Sequence, residues 1–140
     1  MKRHILLLLV ALALPAASFG QERSVKLDTD PAQRLDVRFR LFKTDNMWTF
    51  LLLDTRLGLV YQVQYSVDDK KGGRWILPLN EQPLVDSQDG KDGRFTLYRT
   101  ENIWNFLLLD QDNGRTWQCQ FTVSDKGARG VFLLSPPAVK

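Results

Sequence analysis

Histidine and cysteine are almost absent from this chain of 140 residues: His4 and Cys119 each stand alone. A lone cysteine excludes an intramolecular disulfide, whatever the redox compartment. Long apolar runs are also missing. The only sustained one covers residues 5–14, too short for the roughly 20 residues of a membrane helix. It follows Lys2 and Arg3 and precedes Pro15 and small residues up to Gly20, so residues 1–20 are expected to be a secretory signal peptide. His4 would leave with it, and no imidazole would remain for a triad, a proton shuttle or a zinc ligand. No cysteine adjoins the apolar run, so lipid anchoring is not expected. The formal charge of +3 shrinks in the same step, since losing Lys2 and Arg3 leaves 17 basic against 16 acidic residues. A nearly neutral chain has no electrostatic case for nucleic acid. The expectation is a protein of the periplasm or secreted from a bacterial cell, with no membrane span after signal removal, no metal and no cofactor.

What the chain does have is a unit written twice. Shifted by 56 positions, RFRLFKTDNMWTFLLLDTRLGLVYQVQYSVDDK from Arg38 falls on RFTLYRTENIWNFLLLDQDNGRTWQCQFTVSDK from Arg94, with 17 of 33 positions identical. Further on, RWILPLNEQPLV answers RGVFLLSPPAV more loosely. The expected organisation is a signal peptide over 1–20, a polar lead-in over 21–36, and one domain over 37–140. That domain comprises repeats 37–85 and 93–139, joined by the Gly- and Asp-rich stretch 86–93.

Apolar residues within each unit alternate with period two, the mark of half-buried strands. The clearest case sets Leu59, Tyr61, Val63, Tyr65 and Val67 against Val60, Gln62, Gln64 and Ser66. Four strands per unit are expected, the last around residues 75–77 and 131–134. Two turns set the register. Asp54 and Gly58 bracket a four-residue loop at 55–58, repeated between Asp110 and Gly114. Glycine suits the left-handed last position, and the aspartate can accept from loop N–H groups. A two-residue turn at Asp45 and Asn46 would set Leu41 opposite Phe50. In the second copy Glu101 suits such a turn poorly. These readings give one apolar face per unit: Phe39, Leu41, Trp48, Phe50, Leu52, Tyr61, Val63 and Tyr65, matched by Phe95, Leu97, Trp104, Phe106, Leu108, Trp117, Cys119 and Phe121.

The expected fold is all-β: two tandem four-stranded antiparallel meanders closing their apolar faces on each other, with approximate two-fold symmetry, as an eight-stranded sandwich or barrel. The alternative is two propeller-like blades, since residues 50–53 are apolar on both faces; two blades would need oligomerisation to close a ring.

The hairpin pattern Leu-x-Asp-x-x-x-Gly-x-x-[Tyr/Trp] resembles hairpins of small uncharacterised exported bacterial proteins. It is also similar to the tryptophan-docking repeat of quinoprotein propellers, where the aromatic lies one residue further from the glycine than Tyr61 and Trp117 do. One residue in a strand turns a side chain to the other face, so no cofactor site carries over. The resemblance implies export and β structure.

The polar face offers the candidate ligand-binding residues: Gln62, Gln64, Tyr98, Asn105, Gln118 and Gln120, with Trp75 as a possible stacking ring. Amides beside aromatics suit an extended or sugar-like ligand, while an ordinary solvated face accounts for the same residues. Asp54 and Asp110 read as turn carboxylates, Trp48 and Trp104 as core, and Cys119 as a small buried hydrophobe. The expected function is an exported non-enzymatic module that binds a ligand or an envelope protein. A structural subunit that oligomerises through its sheets is the alternative, and a carboxylate-only hydrolase ranks below both.

Overall fold

A computed structural model describes residues 35–68, 70 and 73–134. The expected signal peptide and most of the lead-in lie outside these. All regular structure among the described residues is β. Strands β1 (Phe39–Lys43), β2 (Thr49–Asp54), β3 (Leu59–Gln64) and β4 (Trp75–Pro78) form one antiparallel sheet in chain order. Strands β5 (Phe95–Arg99), β6 (Asn105–Asp110), β7 (Thr116–Gln120) and β8 (Gly130–Leu133) form the second in the same order. The two sheets pack as a sandwich and do not close into a barrel.

The glycine loops behave as expected. Gly58 and Gly114 take φ of 71° and 77°, and each donates its N–H to the carbonyl of Asp54 or Asp110 at 2.9 Å. Asp54 Oδ1 accepts from the backbone N–H groups of Arg56 and Leu57, and Asp110 Oδ1 from that of Asp112. Leu52 therefore faces Tyr61, and Phe50 faces Val63.

The other turn differs from expectation. Leu41 pairs with Leu52 and Lys43 with Phe50, two residues away from the register of a two-residue turn. Thr44 is the reason: its hydroxyl donates to the carbonyl of Thr49 at 2.8 Å, while Asn46 Oδ1 accepts from the N–H of Trp48 at 2.9 Å. These side-chain bonds close a four-residue loop, repeated by Thr100 and Asn102. Among the described residues only glycines have positive φ, so Glu101 sits in the turn without strain. A shift of two keeps every side chain on its face.

Direction of stacking is the larger correction. In the second sheet Phe95, Leu97, Phe106, Leu108, Trp117, Cys119 and Phe121 are buried, as expected. In the first sheet it is the opposite face that turns inward: Leu51, Leu53, Val60, Gln62, Thr44, Thr49 and Arg40 are buried. Phe39 and Leu41 remain 52% and 44% exposed. The sheets therefore stack in the same sense, like successive pages, instead of closing like faces about a two-fold axis. Each buried leucine contributes about 1.5–3 kcal/mol, and β2 has leucines to offer on either face, so its composition does not choose between the two arrangements.

The connection between the units makes the choice. After β4, Leu84 donates its N–H to Leu57 O at 2.9 Å, Gly93 donates to Thr55 Oγ1 at 2.9 Å, and Phe95 donates to Thr55 O at 2.8 Å. The chain is thus led back along the 55–58 loop, and β5 starts there, with the Phe95 ring against Gly58. One continuous core results, from Leu51, Leu53 and Val60 on one side to Phe95, Phe106, Trp117 and Phe121 on the other.

Candidate functional site

The seam between the sheets is built from repeated positions doing different work. Gln62 is fully buried in it. Its amide donates to Thr122 O at 2.9 Å, and its oxygen accepts from Arg129 Nε at 3.3 Å. A buried amide costs little when both ends are bonded, and here the bonds tie one sheet to the other. At the rim, Arg99 of β5 pairs with Asp45 of the β1–β2 loop. Arg40 lies inside, its guanidinium 4.8 Å from the Phe42 ring centre, and Arg40 Nε has no hydrogen-bond partner among the described residues. Burial holds its pKa below the ordinary value.

This geometry divides the expected ligand residues into two groups. Gln62, Gln64 and Trp75 belong to the inward face of the first sheet. Gln64 accepts from the Thr49 hydroxyl at 2.8 Å and lies opposite the half-buried Trp75. Tyr98, Asn105, Gln118 and Gln120 share the outer face of the second sheet. There Gln118 Nε2 is 2.8 Å from Asn105 Oδ1 and 3.1 Å from Gln120 Oε1. Tyr98, Leu107, Gln118 and Phe132 form one row across the strands, with Tyr98, Leu107 and Phe132 exposed. Its counterpart in the first sheet is Phe42, Leu51, Gln62 and Leu77, whose central pair is buried in the seam. The same surface is therefore covered in one copy and open in the other.

Outside the first sheet lies the second open surface, which alternation alone assigned to the core. Phe39, Leu41, Phe50, Leu52, Tyr61 and Val63 line it, with Tyr65 at one end. Trp48, Phe50 and Tyr65 pack with ring-centre distances of 5.4 and 6.1 Å, nearly the geometry of Trp104, Phe106 and Phe121 at 5.6 and 6.3 Å. The difference lies in the covering. Phe121 is fully buried, whereas Tyr65 is 41% exposed and donates its hydroxyl to Met47 O. A phenol in place of a phenyl ring suits a position with one wet end. That Tyr-for-Phe exchange, with Val60 answered by Thr116 and Phe42 by Tyr98, was the sequence signal of which faces are open.

The carboxylates and the thiol are held by structural duties. Asp110 receives Arg94 through both oxygens, at 3.0 and 2.8 Å. Burial pushes its carboxyl up. The Arg94 hydrogen bonds and charge, with backbone N–H donors at Asp112 and Asn113, outweigh that and hold it below its ordinary value. Asp54 is likewise bonded by an arginine, Arg38, at 3.0 Å, and that arginine is the more exposed of the two. Cys119 is fully buried, and burial pushes its thiol up to about 12, which suppresses the thiolate needed for reaction. The described residues contain no group of three or more His, Cys, Asp or Glu able to hold a metal ion, and no helix long and apolar enough to cross a membrane.

No protein-family model, no curated protein and no solved structure matches the chain.

Proposed function

We propose that the protein is an exported, non-enzymatic β module that binds a protein partner at the bacterial envelope through the outer face of its first sheet. One observation carries this reading: Phe39 and Leu41 are about half exposed at positions where Phe95 and Leu97 are buried. A contiguous apolar face of this kind marks an interaction site more often than a solvated surface. The non-enzymatic part rests on Asp54 and Asp110, each engaged by its own turn and its own arginine. A small polar ligand on the second sheet draws less support, because Asn105, Gln118 and Gln120 already bond one another.

The test is photo-crosslinking in the producing cell, with a benzophenone amino acid at position 41 and, as control, at the exposed loop position Gln82. A discrete protein adduct from position 41 and none from position 82 is expected. No adduct from position 41, or equal adducts from both, refutes the reading.

A further inference from the structure

The two open faces are the two halves of the seam the molecule already contains. The outer face of the first sheet repeats the buried face of the second, with Tyr61, Val63 and Tyr65 standing for Trp117, Cys119 and Phe121. The outer face of the second repeats the buried face of the first more loosely: Tyr98, Leu107, Leu109, Gln118 and Gln120 keep the character of Phe42, Leu51, Leu53, Gln62 and Gln64, while Thr96, Asn105 and Thr116 replace Arg40, Thr49 and Val60. From this we infer that the partner is a second copy of the chain, stacked head to tail, with the outer face of its second sheet on the Phe39 and Leu41 face of the first copy. The inference rests on the protein-binding reading above and specifies its partner.

Three features of the inner seam have counterparts at the outer one. The rim pair Arg99 and Asp45 maps onto Lys43 and Glu101, both exposed and both of the same sign as their counterparts. Stacking would bring Lys43 of one copy to Glu101 of the next. Gln62, which donates to Thr122 O, maps onto Gln118, and Thr122 maps onto Ser66. Arg129, which bonds both Gln62 and Thr122 O, has its structural equivalent in Arg74, which already donates to Ser66 O at 3.2 Å. The acceptor and the arginine that Gln118 would meet are therefore assembled beforehand on the neighbouring copy, and the Gln118 amide would exchange one of its bonds to Asn105 and Gln120 for the one to Ser66 O. The apolar layer is complementary as well, since Leu107 and Tyr98 would occupy the place that Leu51 and Phe42 take inside.

Because the two faces differ, the contact is heterologous, and each copy leaves one face of each kind for the next. Such a contact ends only by closing a ring. With two four-stranded units per copy, a ring of about four to eight blades needs about two to four copies.

The test is the solution mass of the exported protein from nanomolar to high micromolar concentration, combined with charge exchange at the rim. A closed oligomer is expected. Lys43→Glu and Glu101→Lys each weaken association by about tenfold or more through like-charge contact, and the double exchange restores it. Leu41→Arg leaves a monomer whose β circular dichroism is unchanged, since Leu41 is exposed within the single chain. A monomer at every concentration overturns the inference, as does failure of the double exchange to restore association. Crosslinking separates this from the parent reading: a monomer whose position 41 captures a different protein overturns self-stacking alone. Capture of the chain's own residues 21–34 overturns both.

Discussion

Phe39 and Phe95 occupy the same place in the two repeats, yet alanine there should have very different effects. Phe95 has no exposed surface, and emptying such a site costs about 3–5 kcal/mol through lost transfer energy and a cavity. Phe39 is 52% exposed, so only about half of its side chain's roughly 200 Å² can be returned to water. At about 25 cal/mol per Å² the loss is at most about 2.5 kcal/mol, and about 1–2 once the alanine methyl is allowed for. Solvent fills the space, so no cavity term is added. The two variants should differ by about 2 kcal/mol, or about 1–2 M in urea midpoint for a slope of about 1–2 kcal/mol per M. The assay is urea unfolding followed by tryptophan fluorescence, at a protein concentration low enough to hold the chain monomeric. At high concentration the penalty for Phe39→Ala should rise toward that for Phe95→Ala, because a covering copy would bury the ring. Equal losses at low concentration would refute the stacking direction, for they would mean that the first sheet buries its Phe39 face.

Other repeat pairs extend the comparison. Gln62→Leu strands Arg129 Nε in the seam and should cost about 1–3 kcal/mol, while Gln118→Leu in the monomer should be nearly neutral; thermal melting of both variants checks this. Asp110→Asn breaks a pair whose arginine side chain is only 10% exposed and should cost about 3–5 kcal/mol. Asp54→Asn, with Arg38 46% exposed, should cost about 1 kcal/mol. Because the folded Asp110 carboxyl is held below its ordinary 3.8, its contribution is complete above that pH and is lost as pH falls through the lower folded value. Acid titration of stability should thus lose a step in Asp110→Asn. Gly114→Ala meets only the cost of its φ of 77°, about 1–2 kcal/mol, since no atom lies within 4 Å of the added methyl. Gly58→Ala also drives that methyl to 2.9 Å from Leu84 Cδ1 and should melt measurably lower than Gly114→Ala.

The contrast between the two turns explains how far the sequence could be read. The 55–58 loop was legible because its glycine is required by a backbone conformation, so a residue type points directly to a geometry. The loop after Thr44 was not, because a hydroxyl reaching five residues ahead to Thr49 O sets its length, and the residue type alone does not say which carbonyl the hydroxyl reaches. Period two assigns the faces correctly as sets, since a register shift of two preserves them. Periodicity and the composition of β2 do not tell which set faces inward in the first copy; only the exchanges between the repeats, such as Tyr65 for Phe121 and Val60 for Thr116, carry that signal. Leu51 and Leu53 are as apolar as Phe50 and Leu52, and the decision came from the connection that starts β5 beside Thr55. The candidate ligand residues were divided for the same reason: period two places Gln62 and Gln118 on equivalent faces, and only stacking makes one a seam bond and the other a surface residue.

The 86–93 connection also determines how dilution acts on the molecule. Joined through it, the two sheets meet at an effective concentration set by a short tether, so their seam holds however few molecules are present. Any contact on the outer faces has no tether and obeys mass action. A single proteolytic cut beside Ser87 would abolish that distinction. The Gln62 seam would then become an equilibrium between two half-chains, and its strength could be measured directly by titrating one half with the other.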